Sequence, residues 1–327
     1  MKTKTPDLRD RFRGALIGLA VGDAIGATNE FKRRKDCDVR DMVGGGPWRL
    51  RPGDYTDDTA MAFALADSLV ECDGFDPKDV MTRWRDWWQE GKYAGTHGRG
   101  CFDIGTTTRL ALGDFEASGK VWQGRGNYYS AANGCLMRFA SVALYAFPLE
   151  RSKRLELYAD SARLTHGSPL CVEATQLFGE AMHAALGGAG GIVTPDFVTA
   201  PELRSMIDRQ AWFDDADTRI HSTGYVIDTL EAAFWASRVR PADLSADRGP
   251  FAAGILRAAN LGDDADTVAA VAGQLLGASL GWSSIPLRWR ATLDRHDELL
   301  ALADALYDRV DDTAEYPVPA ELSESGA

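Results

Sequence analysis

The sequence predicts an all-α protein. Apolar residues fall on one helical face through most of the chain, at alternating steps of three and one residues. The clearest pattern starts at Val172 and stops at Gly187; its apolar members are Ala174, Leu177, Phe178, Ala181, Met182 and Ala185. Sustained apolar–polar alternation, the pattern of a half-buried strand, is hard to find. Both observations favour packed helices over a sheet.

The same periodicity predicts the other helices in chain order. They cover 9–27, 59–72, 76–90, 105–118, 134–147, 150–164, 222–237, 249–259, a second clear pattern from Thr267 to Ser279, and 293–310. The connections are rich in glycine and proline, but none is long or polar enough to be an interdomain linker. We therefore expect one domain over residues 1–311 and a poorly ordered acidic tail over 312–327.

A glycine stripe marks the first predicted helix, at Gly14, Gly18, Gly22 and Gly26. Glycine costs about 1 kcal/mol relative to alanine in a helix interior. The stripe is either incidental or the face against which another backbone packs closely. The regular four-residue spacing favours the second interpretation.

Composition excludes one broad class of function. The 327 residues include 36 Lys plus Arg and 48 Asp plus Glu, a net charge of −12. Such a chain repels the phosphate backbone of nucleic acids, so we expect no nucleic-acid partner. A small anion held by backbone amides is still compatible with this charge.

Cysteine usage and hydropathy indicate the compartment. The five cysteines are an odd number and include no Cys-x-x-Cys pair, which is a poor basis for disulfides or a zinc site. The first residues lack the apolar run of a signal peptide, and no apolar stretch approaches the ~20 residues of a membrane-spanning helix. We expect a reduced, soluble, cytoplasmic protein with no membrane partner.

Two carboxylate clusters open predicted helices. Thr56, Asp57 and Asp58 precede one apolar run, and Asp264, Asp266 and Thr267 precede another. Capping is the simpler interpretation, since Thr and Asp accept hydrogen bonds from free N–H groups at a helix start. A cap needs only one such residue, however, and adjacent carboxylates repel each other unless a cation or proton lies between them. Hard oxygen ligands in this number suit Mg²⁺ or Mn²⁺.

Several further residues are ambiguous on sequence alone. Glu30 fits a solvated helix end, and Asp103 fits another N-cap. Asn133 and Gly134 fit either a capped turn or a phosphate cradle at a helix start. Isolated histidine and tyrosine residues are more often structural than functional, and this applies to His166 and Tyr225.

An ordered set of motifs decides between these alternatives. The set comprises Gly22-Asp23-Ala24-Ile25-Gly26, Glu30-Phe31, Thr56-Asp57-Asp58-Thr59, Cys101-Phe102-Asp103-Ile104-Gly105, Asn133-Gly134-Cys135-Leu136-Met137-Arg138, Thr165-His166, Gly224-Tyr225-Val226-Ile227-Asp228 and Gly262-Asp263-Asp264-Ala265-Asp266-Thr267. Over nearly its whole length the sequence resembles the ADP-ribosylglycohydrolase family, most closely its bacterial dinitrogenase-reductase-activating glycohydrolase type. The resemblance implies a compact orthogonal helical bundle with a dinuclear Mg²⁺ or Mn²⁺ centre.

The resemblance also implies site roles. Those matching the family's metal ligands are Thr56, Asp57, Asp58, Asp264, Asp266 and Thr267. Glu30 matches the carboxylate that handles a proton or bound water, and Asp103 matches the one facing the reactive ribose and its leaving group. Those matching ADP-ribose contacts are Asn133, Gly134, His166 and Tyr225. Asp263 departs from the glycine frequent at its position, so it is left out of the ligand set.

The expected activity is hydrolysis of the bond between ADP-ribose and a modified protein side chain, most simply arginine. This reaction would reverse mono-ADP-ribosylation, either in regulation of a host enzyme or in immunity against an ADP-ribosylating toxin. The alternatives are hydrolysis of O-linked ADP-ribose on serine, hydrolysis of a free ADP-ribose derivative, and non-catalytic ADP-ribose binding. The expected partners are ADP-ribose and an ADP-ribosylated protein, and the expected oligomeric state is a monomer.

Overall fold

The computed structural model describes residues 6–95, 100–126, 131–189, 196–213, 219–239, 243–244 and 249–310. Within these ranges the chain is helical and contains no strand, which confirms the all-α prediction. The helices are α1 (Leu8–Gly26), α2 (Asp57–Glu71), α3 (Pro77–Glu90), α4 (Thr106–Ser118), α5 (Gly134–Met137), α6 (Ala140–Ala146), α7 (Arg151–Arg163), α8 (Pro169–Leu186), α9 (Pro201–Arg209), α10 (Val226–Ser237), α11 (Pro250–Ala259), α12 (Ala265–Leu280), α13 (Leu287–Thr292) and α14 (His296–Asp308). The predicted tail over 312–327 lies outside the described residues.

Helices α1 and α12 form the central antiparallel pair. A Cβ built on Gly18 would lie 2.3 Å from the carbonyl oxygen of Gly273, and one built on Gly22 would lie 2.1 Å from that of Ala269. The glycine stripe is therefore the face along which a second backbone packs, as the sequence predicts. Both helices are buried along almost their whole length, and the other helices pack around them in one hydrophobic core. None of the described helices has the length and apolar character needed to span a membrane.

The predicted helix over 134–147 is two helices. The side-chain Nε2 of Gln274, on α12, donates to the carbonyl oxygens of Leu136 and Met137, at 3.0 Å each. The carbonyl of Leu136 also accepts the N–H of Phe139 at 3.1 Å, three residues on, which is a tighter turn than the four-residue bond of an unbroken α-helix. The chain consequently turns between α5 and α6, where Arg138 lies. Helices α9 and α13 were not predicted, because they are short and their apolar faces hold few residues.

The ends of three helices position the functional region. Helix α2 begins at Asp57 and α12 at Ala265, each two residues earlier than predicted, so the two carboxylate clusters lie at or just before first helical turns. Gly26 ends α1 directly against the start of α12: its Cβ would lie 2.5 Å from the Cα of Asp266. The tight α1–α12 contact therefore brings these segments together.

Candidate active site

A cleft of about 470 Å³ lies where these helix ends meet. Residues from the loop after α1, the loop before α4 and the starts of α2, α5 and α12 form its walls. The lining residues are Glu30, Phe31, Asp57, Asp103, Ile104, Gly105, Thr106, Thr107, Thr108, Ala132, Asn133, Gly134, Met137, His166, Gly224, Asp263, Asp264, Asp266 and Thr267. The cleft thus unites most of the candidates that are far apart in the sequence.

Three carboxylates converge at one end of the cleft. Oxygen atoms of Glu30, Asp103 and Asp266 all lie within 4.8 Å of one another. Trp48 donates its indole N–H to Oε2 of Glu30 at 2.6 Å, which orients that carboxylate. Asp103 has a φ of 61°, a left-handed conformation that is uncommon for a residue other than glycine. Such conformations cluster at functional sites, where the surrounding structure enforces them.

The first predicted ligand cluster is held by a buried aspartate of α1. The carboxylate of Asp23 accepts the backbone N–H and the hydroxyl of Thr56, both at 3.0 Å from Oδ1, and the N–H of Thr59 at 3.0 Å from Oδ2. Asp23 therefore caps α2 from a neighbouring helix. Asp57, of the same cluster, lines the cleft. Thr56 and Asp58 are buried beside it and are not among the described lining residues.

The second cluster joins the first across the α2–α12 boundary. The hydroxyl of Thr267 donates to Oδ1 of Asp58 at 3.4 Å. Asn133 donates its side-chain N–H groups to Oδ2 of Asp264 at 2.5 Å and to the Thr229 hydroxyl at 2.9 Å. Asn133 thus orients a predicted ligand in addition to lining the cleft.

Backbone pairing explains the unusual residue at position 263. The N–H of Phe31 donates to the carbonyl of Asp263 at 2.7 Å, and the N–H of Asp263 donates to the carbonyl of Lys32 at 2.8 Å. This pairing holds Asp263 at a φ of 54°. Glycine adopts this conformation most easily, and aspartate is among the few other residues that tolerate it. Its backbone joins the loop carrying Glu30 to the start of α12.

The carboxyl groups share a strongly perturbed environment. Burial, reinforced by the negative charge of Asp103, raises the pKa of Glu30 to about 9. Burial and the charge of Asp23 raise the pKa of Asp103 to about 7. Burial followed by like charges raises the pKa well above its usual range in Asp57, Asp58 and Asp266. So many buried acidic groups need protons or cations to neutralise them.

The donor set fits divalent cations. Oδ2 of Asp58 and Oδ1 of Asp266 are buried and have no hydrogen-bond partner among the described residues. Unsatisfied buried carboxylate oxygens are costly, and a coordinated ion would satisfy them. The available atoms are carboxylate and hydroxyl oxygens, which are the ligands that Mg²⁺ and Mn²⁺ prefer.

Three of the four predicted ADP-ribose contacts line the same cleft: Asn133, Gly134 and His166. His166 is buried, and its imidazole edge lies against Gly134, where an added Cβ would be 2.7 Å from Cε1. Tyr225 is half-buried against the core, and its neighbour Gly224 forms the cleft wall. Tyr225 forms an isolated backbone bridge with Ala132, which ties this wall to the segment before α5.

Sequence reasoning missed Trp48 as a site residue and left the role of Asp23 open. Asp23 lies in the motif Gly22-Asp23-Ala24-Ile25-Gly26, but its role as a cap for α2 depends on the contact between two helices. Trp48 lies in a glycine-rich connection, and no local pattern pairs it with Glu30. Both functions arise from tertiary contacts.

Comparisons with known proteins agree with this geometry. Residues 4–315 match the family model described as ADP-ribosylglycohydrolase. The chain is 40% identical over 314 residues to the ADP-ribosylarginine hydrolase Tri1 of Pseudomonas putida (strain GB-1), covering 94% of this chain and 81% of that protein. It is 31% identical to the ADP-ribosyl-(dinitrogen reductase) glycohydrolase of Rhodospirillum rubrum, covering 91% and 98%.

A solved structure extends the agreement to three dimensions. A chain described as an ADP-ribosylglycohydrolase-related protein complex superposes with a TM-score of 0.77 at 38% identity, covering 93% of this chain and 99% of the other. The shared fold, the family match along almost the whole sequence and the acidic cleft lead to one conclusion. The chain belongs to the ADP-ribosylglycohydrolase family.

Proposed function

We propose that this protein hydrolyses the N-glycosidic bond between ADP-ribose and a modified arginine side chain, and that it needs two Mg²⁺ or Mn²⁺ ions. The convergence of Glu30, Asp103 and Asp266 within 4.8 Å at the end of a ligand-sized cleft is the observation that carries this proposal. The relative from Pseudomonas putida is named an ADP-ribosylarginine hydrolase, which supports the arginine linkage.

The predicted ligand set would hold the metal ions: Thr56, Asp57, Asp58, Asp264, Asp266 and Thr267. When bound, divalent cations offset the carboxylate charge and lower the pKa of coordinated water. The unpartnered oxygens of Asp58 and Asp266 support this assignment.

Two carboxylates divide the proton transfers. Hydrolysis breaks the bond from the anomeric carbon to the guanidino nitrogen and forms a bond from that carbon to a water oxygen. Glu30, oriented by Trp48, accepts the proton released by the water, because bound cations would offset the burial and like charges that raise its pKa in the metal-free protein and would keep it ionised. Asp103, with a pKa raised to about 7, gives a proton to the departing nitrogen. The surrounding carboxylates stabilise the positive charge that develops at the anomeric carbon.

Other residues of the cleft would hold the rest of the ligand. We assign the ADP-ribose contacts to Asn133, Gly134, His166 and Tyr225. The cleft volume of about 470 Å³ is in the range of small-molecule sites. We further propose that residues 1–311 act as a single domain and that the protein is a cytoplasmic monomer, which size-exclusion chromatography with light scattering would test for the oligomeric state.

The test is release of ADP-ribose from an arginine-ADP-ribosylated protein, with Mg²⁺ or Mn²⁺ and with chelator. We expect release that depends on metal and that falls at least ~100-fold in Asp57→Asn and Asp266→Asn. Asp228→Asn is the matched control, because Asp228 accepts a hydrogen bond from Thr223 and does not line the described cleft. Release from serine-linked substrate alone would assign the other linkage, and binding without turnover would assign a non-catalytic binder.

A further inference from the structure

A buried arginine lies behind His166 in the wall of the cleft. Arg138, between α5 and α6, is 1% exposed, and its guanidinium lies 3.9 Å from the centre of the Trp84 ring. Within the described chain no carboxylate is within salt-bridge distance of it. Burial lowers the pKa of Arg138 to about 9, so the group is still largely charged at neutral pH. A buried charge without a salt bridge is costly, and the charge of Asp57 partly offsets that cost here.

The guanidinium is the first member of a hydrogen-bonded chain. Nη2 of Arg138 lies 2.6 Å from the hydroxyl oxygen of Thr165, and that oxygen lies 2.7 Å from Nδ1 of His166. All three side chains are buried. We infer that Arg138 and Thr165 hold His166 in the tautomer that carries its hydrogen on Nε2 and presents it to the cleft.

The number of available hydrogens decides which group donates in each of these two hydrogen bonds. A guanidinium only donates, so the Thr165 oxygen accepts from Arg138. The hydroxyl then has one hydrogen, and its other partner among the described residues is Nδ1 of His166. Were Nδ1 protonated, the buried hydroxyl hydrogen would lack an acceptor, a state disfavoured by roughly ten- to a hundredfold. Burial, reinforced by Arg138, lowers the pKa of His166 well below its usual range, so the ring is neutral and its one hydrogen is on Nε2.

The position of Nε2 in the cleft wall indicates which kind of ligand group it could meet. A Cβ on Gly134 would lie 2.9 Å from Nε2, and both residues line the cleft. His166 is 1% exposed and lines the cleft, so the little surface that it shows is in the cleft wall. The positive charge of Arg138 polarises the hydrogen bonds through Thr165 to His166 and makes the Nε2–H a stronger donor. Such a donor suits an anionic acceptor. The pyrophosphate of ADP-ribose supplies such an oxygen, and this ligand assignment rests on the proposed function.

The first experiment measures the tautomer directly, without ligand. In protein labelled with ¹⁵N-histidine, long-range ¹H–¹⁵N spectra distinguish protonated from unprotonated ring nitrogens, and a His166→Gln variant assigns the signals. We expect hydrogen on Nε2 and none on Nδ1 in the wild-type protein and in Thr165→Ser, which keeps the hydroxyl. Thr165→Val, which has the same shape without it, should give a mixture of tautomers. Hydrogen on Nδ1 in the wild-type protein would overturn the inference.

The second experiment links the tautomer to binding. Calorimetric titration with ADP-ribose in Mn²⁺ should show roughly tenfold weaker affinity for Thr165→Val and near wild-type affinity for Thr165→Ser. In hydrolysis, KM should rise with little change in kcat, because phosphates are bound alike in the ground and transition states. Unchanged affinity in a Thr165→Val protein with mixed tautomers would refute the role in binding. An Nε2 hydrogen in a protein that hydrolyses no ADP-ribose linkage would refute the proposed function alone.

Discussion

Neighbouring carboxylates in the cleft have different surroundings, and these set their different chemistry. Glu30 accepts a hydrogen bond from Trp48, while Asp266 has an oxygen with no partner among the described residues. Asp103 is held in a left-handed conformation at the entry to α4. These different surroundings suit one carboxylate to proton transfer and another to binding a cation.

Removing the indole donor should slow catalysis without disturbing the fold. Trp48→Phe keeps a ring to pack against Phe102, whose centroid lies 5.6 Å away, but loses the N–H that lowers the pKa of Glu30. We expect kcat to fall roughly tenfold at neutral pH, since a charge-assisted hydrogen bond is lost, and the rising limb of the pH–rate profile to move to higher pH. Trp88→Phe, on α3, is the control. Equal profiles for Trp48→Phe and wild type would exclude a role for this bond.

At the scale of elements, the contact between α1 and α12 aligns the two ligand clusters. Gly22→Ala would place a Cβ 2.1 Å from the carbonyl oxygen of Ala269, so the helices must separate. We expect a loss of roughly 1–3 kcal/mol in the free energy of unfolding, measured by urea denaturation. We also expect a larger relative loss of activity, because α12 carries Asp264 and Asp266 at its start.

The matched control for this prediction is another helical glycine. A Cβ added to Gly113, within α4, would have no neighbouring atom within 4 Å among the described residues, and the φ of Gly113 lies outside the left-handed region. Gly113→Ala should therefore raise the free energy of unfolding by up to about 1 kcal/mol and leave activity unchanged. Similar stabilities for the two alanine variants would contradict the close-contact explanation.

Helix positions were largely predictable because they depend on local periodicity. The apolar face of α8 and the glycine stripe of α1 are both visible in sequence spacing. The break between α5 and α6 was not, since it depends on the side chain of Gln274 reaching two carbonyls about 137 residues away in the chain.

Some features of the candidate site were likewise predictable from the sequence, and others depend on tertiary contacts. The two carboxylate clusters were predictable because each places several acidic or hydroxyl side chains at one helix start. The roles of Asp23, Trp48 and Arg138 were not, because each contacts its partner only in the folded protein. Sequence patterns therefore located the chemistry, while the residues that orient it depend on packing between helices.

For the whole molecule, the net charge of −12 includes a cluster of buried acidic groups with one buried guanidinium close to it. The cleft concentrates acidic groups, and the buried guanidinium of Arg138 lies behind His166 in its wall, where the charge of Asp57 also acts on it. Under the proposed function, an acidic chain would bind an acidic ligand through bound cations and the neutral hydrogen-bond donors of the cleft. The buried carboxyl groups make the free energy of unfolding depend on both pH and bound metal.

Metal-free protein should lose stability as the pH rises. Carboxyl groups whose pKa is higher in the folded than in the unfolded chain bind more protons when folded, so the free energy of unfolding falls from the unfolded pKa, about 4, through the folded value. The folded pKa is about 6 for Asp264, about 7 for Asp103 and about 9 for Glu30.

In chelator we therefore expect Tm to fall between pH 5 and pH 8; a loss of about 2 kcal/mol corresponds to roughly 4 °C. Added Mn²⁺ should raise Tm more at pH 8 than at pH 5, because at pH 5 protons compete for the same oxygens.

Differential scanning fluorimetry of the wild type, Asp266→Asn and the control Asp228→Asn measures both effects. Asp266→Asn should show a shallower fall and a smaller response to Mn²⁺, since one buried acidic group is gone. A Tm that is flat or rises with pH in chelator, or equal Mn²⁺ responses at both pH values, would show that these carboxyl groups do not form a shared cation site.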